Sequence, residues 1–382
     1  MIYADNAATT KISDSVIEKM LPFLREHYGN ASSQYSMGIK AKHAVEQARK
    51  QIANAIGAKP QEIFFTSSGS EANNWIFRGL LEVFRTEQIH IITSAFEHHS
   101  VLNTLHSLER KGVEVTYIPV SSDGLVSIVD VEAAIRPNTK LVSIMLANNE
   151  IGTVQPIAEI GQMLRSKDIL LHTDAVQAVG HIPVDVCALN VDFLTASAHK
   201  FYGTKGVGVL FKKAGLSISP LVFGGEQEHG LRAGTENVAG IVSAGFAIEE
   251  SVFEMVDEAK RLSAMIMDTV NSIKEKIPSV RVNGNSSSRL PGTVNLGFDD
   301  ISGESLMHLL DLKGIMVSTS SACSSGKNDP SHVLLALGLT EQQAKSAIRI
   351  SYGKFNTHEE VSIVASEICS AHRKIVESHR NR

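Results

Sequence analysis

Between residues 63 and 211 short apolar runs alternate with stretches of helix length, and this rhythm constrains the fold more than any other feature. The runs are Ile63 to Thr66, Ile89 to Thr93, Val113 to Ile118, Leu141 to Leu146, Ile169 to His172, Phe193 to Ala196 and Val207 to Phe211. Runs this short and β-rich, separated by amphipathic segments, predict a mostly parallel seven-stranded sheet covered by helices. Sheets of that kind collect ligands beyond the carboxyl ends of their strands. The residues just after each run are where chemistry is expected.

On either side of this region the pattern changes. From about residue 13 to 57 it is helical: Ala41, Ala44, Val45, Ala48, Ile52 and Ile56 form one stripe, and Gly57 is a stop signal. From about 255 a long amphipathic helix, Val256 to Lys276, leads into mixed strands and helices interrupted by a Ser/Gly-rich stretch from Ser318 to Asp329. The expected class is α/β, with a large domain over residues 14–255. A smaller α+β domain is expected from residues 1–13 and 256–382, carrying the Ser-rich loop at about 318–329. A chain of 382 residues is long enough to bury cores for both.

Composition narrows the function. A formal charge of −5 gives no basic field for a nucleic-acid backbone, so a small-molecule substrate is expected. Three cysteines, Cys187, Cys323 and Cys369, suit neither a disulfide framework nor a zinc site of paired cysteines, and imply a reducing compartment. The N-terminus lacks the pattern of a signal peptide, and no apolar run approaches the ~20 residues of a membrane span. The expectation is a cytoplasmic protein with no membrane contact.

Several post-strand segments carry candidate chemistry. Thr66 to Asn74 opens a helix after a strand, so its exposed N–H groups could seat a phosphate, with Gly69 allowing close approach; it reads equally as a helix start capped by Ser70. Lys200, in Ser197-Ala198-His199-Lys200, is either a solvated surface charge or an amine desolvated enough to form a Schiff base. Asp174 follows another strand, where it could cap a helix or keep a pyridinium nitrogen protonated, and Gln177 lies one turn further on. His98 and His99 form a doublet without the spacing of a zinc set, so no metal is expected. An imidazole stacked on an aromatic cofactor and available for proton transfer is the better reading of His98.

Taken together these segments resemble the fold-type I, class V aminotransferase-like family, and within it the cysteine desulfurases. The resemblance is collinear from Tyr3-Ala4-Asp5-Asn6-Ala7-Ala8-Thr9-Thr10 to Arg349-Ile350-Ser351-Tyr352-Gly353. It implies that the large domain binds pyridoxal 5'-phosphate (PLP), held covalently by Lys200. Asp174 would face the pyridine nitrogen, Gln177 the ring oxygen, and His98 would stack on the ring. Gly69, Ser70, Ser197 and His199 would hold the phosphate, and Asn149 would lie beside cofactor and substrate. Thr235 would reach the phosphate of a neighbouring subunit, which implies a homodimer. Arg349 would bind the carboxylate of L-cysteine, a role that suits a guanidinium because it forms two parallel hydrogen bonds; its alternative is a surface ion pair.

The substrate is read from Cys323, which lies among small polar residues in Ser318-Thr319-Ser320-Ser321-Ala322-Cys323-Ser324-Ser325-Gly326, a setting unlike a packing thiol. Together with Pro330-Ser331 and Ala336-Leu337-Gly338-Leu339 it resembles the long-loop desulfurases, in which this cysteine receives sulfur as a persulfide and passes it to an acceptor protein. Iron–sulfur assembly and tRNA or DNA thiolation use donors of this type. A selenocysteine lyase or another PLP-dependent cysteine lyase would share every cofactor residue. One departure is Gly29-Asn30-Ala31-Ser32-Ser33-Gln34-Tyr35, where Ala31 and Tyr35 replace the proline and histidine common in the family.

Overall fold

The apolar runs become strands because their residues point alternately to two covered faces. The computed structural model describes residues 1–84, 88–319 and 329–380, so Cys323 and most of the expected loop lie outside the described residues. Thirteen strands are described: β1 (Ile2–Tyr3), β2 (Ile63–Thr66), β3 (His90–Ser94), β4 (Glu114–Ile118), β5 (Thr139–Ser143), β6 (Leu170–Asp174), β7 (Phe193–Ser197), β8 (Gly208–Lys212), β9 (Arg281–Asn283), β10 (Thr293–Gly297), β11 (Ile315–Met316), β12 (Ser318–Thr319) and β13 (Ala347–Ser351). The helices are α1 (Asp14–Arg25), α2 (Ser36–Ala55), α3 (Gly69–Val83), α4 (His99–Glu109), α5 (Ile128–Ala133), α6 (Ile157–Leu164), α7 (Val238–Lys276), α8 (Gly303–Asp311), α9 (His332–Ala336), α10 (Glu341–Lys345) and α11 (His358–Arg380).

Strands β2 to β8 form one seven-stranded sheet in the order β2-β8-β7-β6-β5-β3-β4, parallel except for β8, which runs against both its neighbours. Neighbouring residues on a strand serve opposite cores. Phe65, Ile92, Val142 and Val209 join one cluster, while Phe64, Ile91, Leu141 and Leu210 join the other. On the second face α3 buries Trp75, Ile76, Phe77 and Leu80. Each large side chain so buried contributes about 1.5–3 kcal/mol, and the Trp75 indole N–H keeps a hydrogen bond to Ser219 O at 2.9 Å.

A second sheet, β12-β13-β10-β9, is antiparallel and packs with α8, α11 and part of α7 around Leu296, Ile348 and Ile350. Helix α7 runs unbroken through residue 256, where the periodicity placed a helix start. Its first half (Ile241, Ala244, Ala247, Ile248) joins the large-sheet core and its second half (Leu262, Met265, Ile266, Ile273) the small-sheet core. The early half reads poorly as helix because it holds glycines, and packing explains one of them. A Cβ on Gly245 would stand 2.8 Å from Ala48 Cβ of α2, so only glycine lets the two helices approach this closely. Among the described residues no helix is long and apolar enough to cross a membrane.

Candidate active site

The carboxyl ends of the parallel strands surround a cavity of about 300 Å³. Of the residues expected at the site, Gly69 and Ser70 reach it from the start of α3 and His98 from the start of α4; Asp174 and Gln177 come from the end of β6, and Ser197, His199 and Lys200 from the end of β7. Asn149 and Arg349 close it from the β5 connection and β13. Thr235 does not line it; that residue is exposed in its own chain.

Helix α3 presents its N-terminus to the cavity. Its cap is Ser68, whose Oγ accepts from Glu71 N at 3.1 Å, and not Ser70 as the spacing predicts. The extended Ser68 backbone makes that residue the cap, and Ser70 is left inside the first turn facing the cavity. The first N–H groups of a helix lack intrahelical acceptors and attract anions. A Cβ on Gly69 would stand 2.8 Å from Val176 Cγ2, so glycine keeps this cradle open. Glu71, an acid in the first turn, is held away from the cradle by Arg232 at 2.8 Å and by Ser67. Burial raises its pKa, but the Arg232 and Ser67 hydrogen bonds more than offset this and hold it below the usual carboxylate value.

The Lys200 Nζ donates to Ala7 O at 2.6 Å and Ala8 O at 2.7 Å, and Gln177 Nε2 donates to Ala7 O at 2.9 Å. The segment after β1 is thus a wall of the site. It is strapped there by Thr10, which bonds His199 O through both N and Oγ1. Asp174 forms a turn rather than a helix cap: Oδ1 accepts from Val176 N at 3.0 Å, and Oδ2 from Asn73 Nδ2 at 2.8 Å. The His199 imidazole is pushed down to about 4 by burial and by the charges of Lys200 and Lys205, so it is neutral at pH 7. Its Nδ1 lies 3.1 Å from Thr9 Oγ1.

Arg349 is buried, not a surface ion pair. Its Nη2 donates to Asp5 Oδ1 at 2.6 Å and Nη1 to Asn149 O at 2.8 Å, and among the described residues Nε has no partner. Asn73, Ser100, Met145 and Val176 also line the cavity and are not among the residues expected there. Ser100 sits two residues after His98 and Val176 two after Asp174, so proximity along the chain could have found both.

The histidine doublet divides. His98 caps α4, while the ring of His99 packs against His332 with centroids 4.5 Å apart and the planes tilted by 42°. His332 Nε2 lies 2.9 Å from Glu97 O, and the neighbouring Ser331 Oγ donates to Glu150 Oε2 at 2.5 Å. Glu97 is fully buried, with Oε1 accepting from Ser94 Oγ and from Met145 N. Burial pushes its carboxyl up to about 8, Ser94 and Met145 pull the other way, and the charge of Asp174 adds to the rise. Folded Glu97 therefore keeps its proton through a range in which the unfolded chain has released it. Stability from this group is complete below pH ~4.5 and falls as pH rises to about 8, by on the order of 5 kcal/mol. Thermal melts of Glu97→Gln, which mimics the protonated acid, are expected to show a flatter decline between pH 5 and 8 than the parent; parallel declines would refute a buried neutral Glu97.

Residues 2–364 match the model of the aminotransferase class-V family. The chain is 48% identical over 365 residues to the cysteine desulfurase IscS of Clostridium botulinum, covering 95% of this chain and 92% of that protein. A solved NifS-like protein superposes with a TM-score of 0.92 at 41% identity, covering 97% of this chain and 98% of the other. A solved complex of SspA with cysteine superposes at 0.82 with 38% identity, over 94% of this chain and all of that one.

Proposed function

Because this chain belongs to the aminotransferase class-V family, and within it is a cysteine desulfurase, we propose that its strand-end cavity holds PLP on Lys200 and converts L-cysteine to L-alanine with Cys323 taking the sulfur. One observation carries the assignment: ten of the twelve residues the resemblance implies converge on a single cavity of about 300 Å³. They arrive from five separate strand or helix ends and from β13.

The donor set fits the group. The N-terminus of α3, with Ser197 and His199 beside it, offers uncharged donors to a phosphate, and Asp174 offers a carboxylate to a ring nitrogen. When bound, PLP supplies an electron sink for the charge left as the substrate loses its Cα proton.

The remaining work falls to the chain. Arg349 takes the substrate carboxylate; its guanidinium is already held in place by Asp5 and Asn149 O, so little side-chain entropy is lost on binding. Lys200 Nζ removes and returns the Cα proton. The thiolate of Cys323 attacks the substrate sulfur: an S–S bond forms, the Cβ–S bond breaks, and its electron pair stays with the carbon skeleton, which is protonated to alanine. Cysteine plus enzyme thiol thereby gives alanine plus enzyme persulfide, without an external oxidant or reductant.

Described residues on both sides of Cys323 are tied to this site. Before it, Ser318 of β12 pairs in register with Arg349. After it, Ser331 is bonded to Glu150 and His332 to the Glu97 carbonyl. Thr235 lies exposed on a loop anchored by the buried Arg49–Glu228 pair, with Nη1 to Oε2 at 2.8 Å, and by Arg232 on Glu71. That placement suits the phosphate of a neighbouring subunit in a homodimer. The unit of residues 14–255 would supply the cofactor site, and that of residues 1–13 and 256–382 would supply Arg349 and Cys323.

The deciding experiment incubates purified enzyme, loaded with PLP, with L-cysteine and a reducing thiol. Alanine and sulfide are expected in equal amounts. Turnover of selenocysteine without turnover of cysteine would replace this reading by a selenocysteine lyase.

A further inference from the structure

Asn73 is 1% exposed, lines the cavity, and has two amide hydrogens that both find acceptors. One goes to Asp174 Oδ2 at 2.8 Å and the other to Ser100 Oγ at 2.9 Å. The reverse amide orientation would set Asn73 Oδ1 against a carboxylate oxygen, two acceptors face to face, so the chemistry selects this one. Ser100 Oγ, having accepted from Asn73, has its own hydrogen to give, and His98 Nδ1 lies 2.8 Å away.

A second donor reaches the same nitrogen. As the cap of α4, His98 Nδ1 also accepts from the backbone N–H of Ser100 at 3.1 Å. A backbone N–H cannot accept a hydrogen bond, so at 3.1 Å it favours the Nδ1 lone pair, and the closer Ser100 hydroxyl reinforces that preference. The single proton of a neutral imidazole then sits on Nε2. A second proton can enter only at Nδ1, and it would break the helix cap.

We infer that Asn73 and Ser100 are positioning residues that hold His98 as the neutral Nε2–H form, so that it offers the cavity a hydrogen-bond donor rather than a base or a cation. Burial lowers the pKa of His98; the charge of Asp174 raises it, but Lys200 and His99 add to the lowering, so the net effect also favours the neutral ring. Asn73 also ties the orientation of this ring to the carboxylate of Asp174, 101 residues away in sequence. With His98 unable to take up a proton at Nε2, the Cα proton is left to Lys200. The inference rests on the cavity being the cysteine site.

Long-range proton–nitrogen NMR of histidine-labelled PLP enzyme tests it, with the His98 signals assigned by their loss in His98→Gln. At pH 7 the wild type is expected to show an unprotonated, pyridine-type Nδ1 and a protonated Nε2. Ser100→Ala and Asn73→Ala should move Nδ1 toward the tautomer average and lower kcat about tenfold, with KM for cysteine changed less than about twofold. Ser100→Thr, which keeps the hydroxyl, should restore both. If an alanine variant does not fold, Asn73→Leu, of similar size and with no amide hydrogen for Ser100, takes its place with the same expected shift. A protonated Nδ1 in the wild type, or variants with the parental spectrum, overturns the inference. The spectrum is recorded without substrate, so this failure is distinct from a failure of the wild type to make alanine from cysteine.

Discussion

Lys200→Ala is expected to yield a folded protein that retains no cofactor through a covalent bond and turns over cysteine at least ~10³-fold more slowly, within the range lost when a positioned proton-transfer group is removed. The structure explains why so much depends on one amine. Lys200 follows β7, where its Nζ is fixed by the Ala7 and Ala8 carbonyls at the wall of the cavity that Asp174 and the α3 N-terminus also line. Borohydride reduction followed by peptide mass mapping reads the attachment directly, and steady-state alanine production reads the rate. A reduced adduct on any other lysine, or an alanine variant that retains one, removes Lys200 from its proposed role. Circular dichroism separates loss of chemistry from loss of fold, and little loss of fold is expected because the two bonds end on carbonyls at the cavity wall.

Cys323→Ala is expected to separate two events that the wild type couples. The variant should keep the visible absorption of the bound cofactor and should perturb that absorption on adding cysteine, because Lys200, Asp174 and Arg349 are untouched. Persulfide on the protein should vanish, and alanine formation should drop by at least ~10²-fold, as expected for loss of a nucleophile. Mass spectrometry of enzyme quenched after one turnover checks the first point: the wild type should carry one added sulfur on the peptide containing Cys323. Full alanine production by the variant, or sulfur found on Cys187 or Cys369, would reassign the acceptor. Cys369 is buried on α11, where burial raises its pKa and keeps it in the less reactive thiol form.

Much of the architecture is legible in the sequence because strand periodicity is local. A residue's neighbours two positions away fix which face it serves, and the alternation of Phe64 with Phe65 and of Ile91 with Ile92 is enough to require two covered faces. The strand ends then indicate where Lys200, Asp174 and His98 emerge. Local pattern fails where a residue's role depends on a partner distant in sequence. Asn73 reads as an ordinary helical residue, and nothing near it in the chain announces Asp174 or the Ser100 hydroxyl. Gly245 reads as a helix breaker until Ala48 stands against it. Ser68 and Ser70 are equally plausible caps by composition, and the backbone torsions at Ser68 decide between them.

The sequence by itself determined the α/β class, the cofactor lysine as a candidate and the set of groups to expect around it, because strand alternation and post-strand turns are written in consecutive residues. Only the tertiary structure decided that Arg349 is a buried, pre-held guanidinium, that the Ala7 and Ala8 carbonyls receive Lys200, and that Asn73 and the Ser100 hydroxyl stand in line beside the His98 ring. Hydrogen-bond direction and burial are properties of groups brought together from across the chain, and they come into being only when the chain has folded.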